Sequence, residues 1–276
     1  PDFCLPSLSS RQNRIAIVPA IGYTFPSSQI KELLEQRIFV LKIKIGQPGN
    51  EKDMLAKDLE RLKQIHHICQ NYGTNMTDSS KIAYYLDANG RYQTKDGILR
   101  LIDYAEHIGC IDQIILIEEP YAEHLIVDVS DLPVCLAVDE SLHTIKDIQH
   151  KAEQGYQAVA IKPAGKTLSL AFQMANASVE NAVIPFVADN ACVPILVEWN
   201  KNISARLPIF PGLKTGMMES NGPQNYAMWP QLVSDYPLSE AHWLMPTSGT
   251  FQLNQSYYHH SGGIFIDPLP YISSFR

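Results

Sequence analysis

The sequence predicts an α/β fold whose parallel strands curl into a barrel, and three observations predict it. Four apolar runs each end on a charged residue: 82–86 at Asp87, 114–117 at Glu118, 134–138 at Asp139 and 158–161 at Lys162. Helix-like segments separate the runs, the spacing of parallel strands joined by crossover helices. The runs also share one parity, with Leu86, Ile117, Val138 and Ile161 on one face and the charged residues that follow on the other. A barrel wrapped by helices needs an apolar outer face. Asp87, Glu118, Asp139 and Lys162 would then point inward at the carboxyl ends of neighbouring strands, where such barrels place their chemistry.

Taken in order, residues 1–13 are rich in Pro and Ser, lack periodicity, and are expected as a linker or a remnant. A first strand is expected over 14–20, broken by Pro19, and Ser27/Ser28 are expected to cap a short helix over 29–36. The second strand, 39–45, places Leu41, Ile43 and Ile45 outward and Lys42 and Lys44 inward. A charged amphipathic helix follows over 50–71, with His66 and His67 expected near its solvated face. The third strand leads to Asp87-Ala88-Asn89, the fourth to Glu118-Glu119-Pro120 and the fifth to Asp139-Glu140-Ser141. Helices over 95–108 and 144–154 intervene, and Gly155 closes the second of them. In the sixth strand, small Ala158 and Ala160 lie beneath the long Lys162, which suits a crowded interior. Strand seven (183–187) ends near Asp189, and strand eight (213–218) ends at Glu219. This bounds a barrel over 14–222 and an extension over 223–276 that packs on the barrel or a partner domain.

Composition excludes several partner classes. A formal charge of −7 without a basic stripe argues against nucleic acid. No apolar run approaches a membrane span, and no signal-peptide pattern is present in these residues. The five cysteines (Cys4, Cys69, Cys110, Cys135, Cys192) are odd in number and scattered, as reduced core residues of a cytoplasmic protein are. The oligomeric state stays open, a homo-oligomer included.

Three inward carboxylates with no Cys/His cluster suit a hard cation, Mg²⁺ first and Mn²⁺ next. Lysines on strands two and six stand across the barrel from each other and approach opposite faces of a bound substrate. Such a pair, beside a cation, suits removal of the α-proton of a small carboxylate through an enediolate.

Lys42-Ile43-Lys44, Asp87-Ala88-Asn89, Glu118-Glu119-Pro120, Asp139-Glu140-Ser141 and Lys162 match, in order, the signatures of the enolase superfamily. The chain resembles its muconate-lactonizing-enzyme branch, which includes dipeptide epimerases and o-succinylbenzoate synthases. The resemblance, over about residues 14–222, implies a TIM-like (β/α)7β barrel with Asp87, Glu118 and Asp139 as Mg²⁺ ligands. It implies Lys44 and Lys162 as the acid/base pair, Lys42 as electrostatic helper, and Asn89 and Glu119 as neighbours of the metal. The N-terminal capping domain usual in the family is expected to be absent or reduced to residues 1–13. Dipeptide epimerases of this branch hold the substrate ammonium with an Asp-x-Asp pair after strand eight. This chain has Met217-Met218-Glu219-Ser220 there, so Glu219, with Asp189, is the candidate for substrate contact.

The implied activity is racemisation or epimerisation of an amino acid or dipeptide, with o-succinylbenzoate synthase-type dehydration or cycloisomerisation as the alternative. Two other classes compete. A Schiff-base aldolase through Lys162 leaves the inward carboxylates without a purpose. A barrel retained as a non-catalytic binding protein would hold Mg²⁺ without exchanging any substrate proton.

Overall fold

The computed structural model describes residues 6–188 and 191–267. The chain enters β1 (Arg14–Val18), breaks at Pro19 and resumes as β2 (Ala20–Ile21). Then come α1 (Ser27–Glu35), β3 (Val40–Lys44), α2 (Glu51–Cys69), β4 (Ala83–Asp87) and α3 (Lys95–His107). The alternation continues through β5 (Ile114–Glu118), β6 (Leu136–Val138), α4 (Ile145–Glu153), β7 (Ala158–Ile161) and α5 (Leu168–Glu180). It closes with β8 (Ile184–Val187), α6 (Pro194–Ser204) and β9 (Gly216–Glu219). Beyond these lie α7 (Gly222–Asn225), α8 (Trp229–Ser234), β10 (Thr250–Gln252) and α9 (Gln255–His260).

From β3 to β9 the strands lie parallel and in chain order. β1 pairs in parallel with β9, and β2 in parallel with β3, so one extended segment carries both ends of the parallel ladder. The sheet is therefore curled. Pro19 has no N–H to give to a ladder, and the partner switch falls on it; its carbonyl accepts from Lys42 N at 3.1 Å. The outward residues Leu41, Ile43, Leu86, Ile117, Val138, Val159 and Ile161 are all fully buried beneath the helices.

Local signals place the helices. The Asn50 side chain caps α2 by accepting from Asp53 N, Thr94 caps α3 by accepting from Gly97 N, and Thr144 with Asp147 forms a capping box on α4. α1 departs from expectation. It starts at Ser27 itself, its N-cap is Pro26, and no side chain caps it. Pro26 is extended (φ −67°, ψ 145°) and has only a hydrocarbon ring to offer. His66 is half-buried with Nδ1 3.0 Å from the Tyr84 hydroxyl, a contact made as β4 passes beneath α2. Among the described residues no helix is long and apolar enough to cross a membrane.

The segment after β9 is tied to the sheet and to α6. β10 adds antiparallel to the other edge of β1. Its approach depends on Gly249 (φ +73°), where a Cβ would stand 2.1 Å from the Arg37 carbonyl oxygen. On α6, buried Lys201 pairs with buried Glu198, donates to Trp243 O at 2.8 Å and lies 3.9 Å from the Phe251 ring centre. Asn202 Nδ2 donates to Ser261 O at 2.8 Å. Residues 6–13 are seated as well, with Ser10 N and Gln12 N donating to Arg206 O and Ala205 O.

Gly249→Ala meets both a backbone clash and a left-handed φ, so it lowers stability by more than about 2 kcal/mol, read by urea unfolding. Burial pushes the Glu198 carboxyl up from 4.5 to about 7, against the opposing pull of Lys201. The native state then holds a proton that the unfolded chain has released, so this group's contribution to stability falls as pH rises from 4.5 to about 7. Glu198→Gln flattens that part of the stability–pH curve.

Candidate active site

The register brings the charged residues together. Across β3 and β4, Lys42 is aligned with Tyr85 and Lys44 with Asp87. Asp87 is aligned with Glu118, Glu118 with Ala137, and Ala137 with Ala158. Residues aligned across a ladder share a face, so one inner row runs Lys44, Asp87, Glu118 and then two alanines, whose small side chains leave room. Asp139 follows β6 two residues beyond Ala137, and Lys162 follows β7; both stand nearer the mouth. β9 closes the ring of charges by ending at Glu219.

Lys42 is the hub. Its Nζ lies 2.7 Å from Glu118 Oε2, 2.9 Å from Asp87 Oδ2 and 2.9 Å from Glu219 Oε2. Burial works against this ammonium, but Glu118, with Tyr85, Glu219 and Asp87, outweighs it and holds the pKa well above the usual lysine value. Lys44 Nζ contacts Asp87 Oδ2 at 2.5 Å and donates to Asn89 Oδ1 at 2.8 Å. Lys162 Nζ lies 2.5 Å from Asp139 Oδ2. Burial again opposes the charge on Lys162, and Asp139 prevails, raising its pKa. Lys44 and Lys162 keep 28% and 18% of their side chains exposed against 3% for Lys42, so those two can meet a ligand.

The carboxylates differ from one another. Burial would raise Asp87, but two ammonium groups, Lys42 and Lys44, hold it below the ordinary range. Glu118 goes the other way: burial raises it far, Lys42 is the chief opposing charge, and Asp87, Asp139 and Glu219 add to the rise. Its Oε2 is close to Lys42 but outside hydrogen-bond alignment, and its Oε1 has no hydrogen-bond partner among the described residues. Burial also raises Asp139, against Lys162. Glu119, held at a left-handed φ of 39°, accepts from Asp139 N at 2.7 Å through Oε2 and from the Ser141 hydroxyl through Oε1. It thereby fixes the loop that carries Asp139. Asn89 (φ 44°) passes the contact outward, donating from Nδ2 to Glu140 Oε1 at 2.8 Å. Both Glu219 oxygens are engaged, Oε2 by Lys42 and Oε1 by Asn221 Nδ2 at 2.8 Å. Asp189 lies outside the described residues.

Asp58 is a functional residue that reading the sequence passes over. This carboxylate on α2 is fully buried and accepts from Gly46 N at 2.7 Å, Gln47 N at 3.2 Å and the Tyr92 hydroxyl at 2.8 Å. It grips the loop that leaves Lys44. Gly46 (φ +78°) is required there, since a Cβ would come within 2.9 Å of Ala88 O and Arg91 Cβ. A polar residue on the inner stripe of an otherwise amphipathic helix was the available signal.

By chemistry the set fits a divalent cation. All donors are oxygens, both buried Glu118 oxygens lack a hydrogen bond among the described residues, and four carboxylates (Asp87, Glu118, Asp139, Glu219) face three ammonium groups (Lys42, Lys44, Lys162). In the arrangement described, the lysines hold the carboxylates. Among the described residues no three or more Asp, Glu, His or Cys are gathered as a ready-made metal centre. The atom at which three carboxylates converge is Lys42 Nζ.

No family model matches the sequence, and no curated protein matches it. Solved structures do match. A mandelate racemase/muconate lactonizing protein from Herpetosiphon aurantiacus superposes with a TM-score of 0.68 at 16% identity, over 90% of this chain and 64% of its own. The fold is that of the mandelate racemase/muconate lactonizing proteins. A dipeptide epimerase from Methylococcus capsulatus, complexed with Mg ion, matches at TM-score 0.59 and 20% identity, over 81% of this chain and 60% of its own. The L-Ala-D/L-Glu epimerase from Bacillus subtilis, in a substrate-liganded complex, matches at 0.63 and 16%, over 81% and 58%. This chain thus spans less than two thirds of these relatives' length.

Asp58→Ala leaves the Gly46 N–H and the Tyr92 hydroxyl buried without an acceptor, and lowers unfolding free energy by about 3 kcal/mol. Tyr92→Phe, which removes one of those hydrogen bonds, costs about 1 kcal/mol in the same urea titration.

Proposed function

We propose that this chain is the barrel of a Mg²⁺-dependent enzyme that moves the α-proton of a small carboxylate, most simply a racemase or epimerase of an amino acid or dipeptide. In this reading the curled sheet is a (β/α)7β barrel, with segment 14–21 as its first stave. The observation that carries it is the pair of part-exposed lysines, Lys44 on β3 and Lys162 after β7, each against a carboxylate. The likeness to a dipeptide epimerase complexed with Mg ion supports both the reaction class and the metal.

Asp87, Glu118 and Asp139 would hold the cation, which when bound offsets the charge on a substrate carboxylate. The rest falls to side chains. Two lysines on opposite faces of a Cα suit 1,1-proton transfer: one, neutral, accepts the proton, and the other, as ammonium, returns one to the opposite face. Lys42, held charged by its carboxylates, supplies fixed positive potential to the enediolate without itself exchanging a proton. Asn89 orients Lys44, and Glu119 orients Asp139. The same pair serves syn-dehydration and cycloisomerisation, so the product defines the outcome.

The test is incubation in D₂O with Mg²⁺ against a panel of amino acids, dipeptides and acid sugars, followed by NMR at Cα. Deuterium enters one class of substrate, and Lys44→Ala and Lys162→Ala each slow racemisation by about 10³-fold, the usual worth of a general acid or base. One of the two retains exchange with a single enantiomer. Racemisation at the normal rate in both variants would sink the assignment. Separately, Mg²⁺ raises the melting temperature of the chain, and Glu118→Gln abolishes that rise.

A further inference from the structure

The proton-transfer scheme leaves the inward side chain of Tyr85 without a task. Tyr85 lies two residues before Asp87 on β4 and is the ladder partner of Lys42. It is 1% exposed, and its ring centre lies 4.6 Å from Lys42 Nζ. Its hydroxyl is buried and has no hydrogen-bond partner among the described residues. Phe186 packs T-shaped against the ring at 5.6 Å and Phe210 packs T-shaped against Phe186 at 5.8 Å, so the ring is braced by an aromatic chain.

We propose that Tyr85 is a positioning residue for Lys42, its π face holding the ammonium where it meets Asp87, Glu118 and Glu219 together. Three acids from β4, β5 and β9 compete for one ammonium on a flexible four-carbon stem. With 3% of that side chain exposed, the aromatic ring stands where solvent would otherwise cover the cation. A desolvated ammonium over an aromatic face is held by the ring's quadrupole and cannot swing toward one acid without leaving it. The face acts, and the hydroxyl does not, because the hydroxyl has nothing to bond among the described residues. The catalytic consequence rests on the reading of Lys42 as the electrostatic helper above; the geometric claim does not.

The test uses the full chain labelled with ¹³C at lysine Cε, with the Lys42 signal assigned by its loss in Lys42→Arg. In the wild type the Lys42 ε-methylene protons lie upfield of the other lysines through the ring current of Tyr85. Tyr85→Phe keeps that displacement, and Tyr85→Leu abolishes it. An undisplaced wild-type signal, or one unmoved in Tyr85→Leu, overturns the proposal. On the substrate found by the deuterium screen, Tyr85→Leu lowers kcat by about 30-fold, the worth of a desolvated cation–π contact, with KM unchanged. Tyr85→Phe stays within about 3-fold of wild type on the same scale. If Tyr85→Phe falls as far as Tyr85→Leu, the hydroxyl acts and the proposal is wrong. If no substrate exchanges in the wild type, the functional reading fails while the NMR result still decides the role of Tyr85.

Discussion

The interior of this sheet depends on one ammonium. Lys42 stands at 2.7–2.9 Å from three carboxylates, and each of those acids is held by a different strand. Like charges packed this tightly in a water-excluded space repel strongly, and removing the partner of a buried ion typically destabilises by about 3–5 kcal/mol. The unequal pKa values record how the ammonium groups are shared. Burial raises both acids, but Asp87 has two lysines that overcome it and stays acidic, whereas Glu118 has Lys42 as its chief opposing charge and three acid neighbours that add to the rise. A set of four carboxylates and three ammonium groups keeps one negative charge in excess, which is the electrostatic basis for expecting a cation at this mouth.

The backbone makes that set by simple alternation. Charged residues one position past the last apolar residue of each strand share a face, and curling turns a shared face into a shared interior. Stagger then sorts them by depth. Glu118 is level with Ala137, so Asp139 stands two residues higher, and it meets Lys162 there instead of Lys42. Lys42, two residues below Lys44, is closed in, while the side chains of Lys44 and Lys162 stay partly open to a ligand. Depth separates the fixed field from the groups that can move protons.

Much of this was legible in the sequence, because it follows from parity. The apolar runs, the inward lysines and the strand-end acids all read directly, since a one-residue shift would place a charge beneath a helix. What did not read depends on partners distant in the chain. Pro19 marked a break, but nothing local shows that the two halves of that segment pair with β3 and β9. β10 is three residues long, and its seat on β1 depends on Gly249 passing Arg37. Asp58 looked like one more polar residue on a charged helix, and its three donors come from loops after β3 and β4. The 27–28 cap failed for a local reason, since Pro26 occupied the position that a capping side chain needs.

Glu219 shows where a family pattern and this chain part company. At strand eight the sequence offers a single acid where an epimerase pair would stand, and a counter-ion for a substrate ammonium needs a free carboxylate oxygen. Both oxygens of Glu219 are already committed, one to Lys42 and one to Asn221, whose own Oδ1 accepts from Ala20 N at 2.8 Å. Drawing Glu219 toward a substrate would strip Lys42 of one acid and loosen the seam where β2 meets the segment after β9. Its chemistry belongs with the fixed charges below. Away from that fixed group, Asn89 is tied to Glu140 and Arg91 stands beside Tyr23, both in loops that leave the strand ends. Such loops diverge fastest among structures that share only a fold, and 16–20% identity over a common fold is what that division produces.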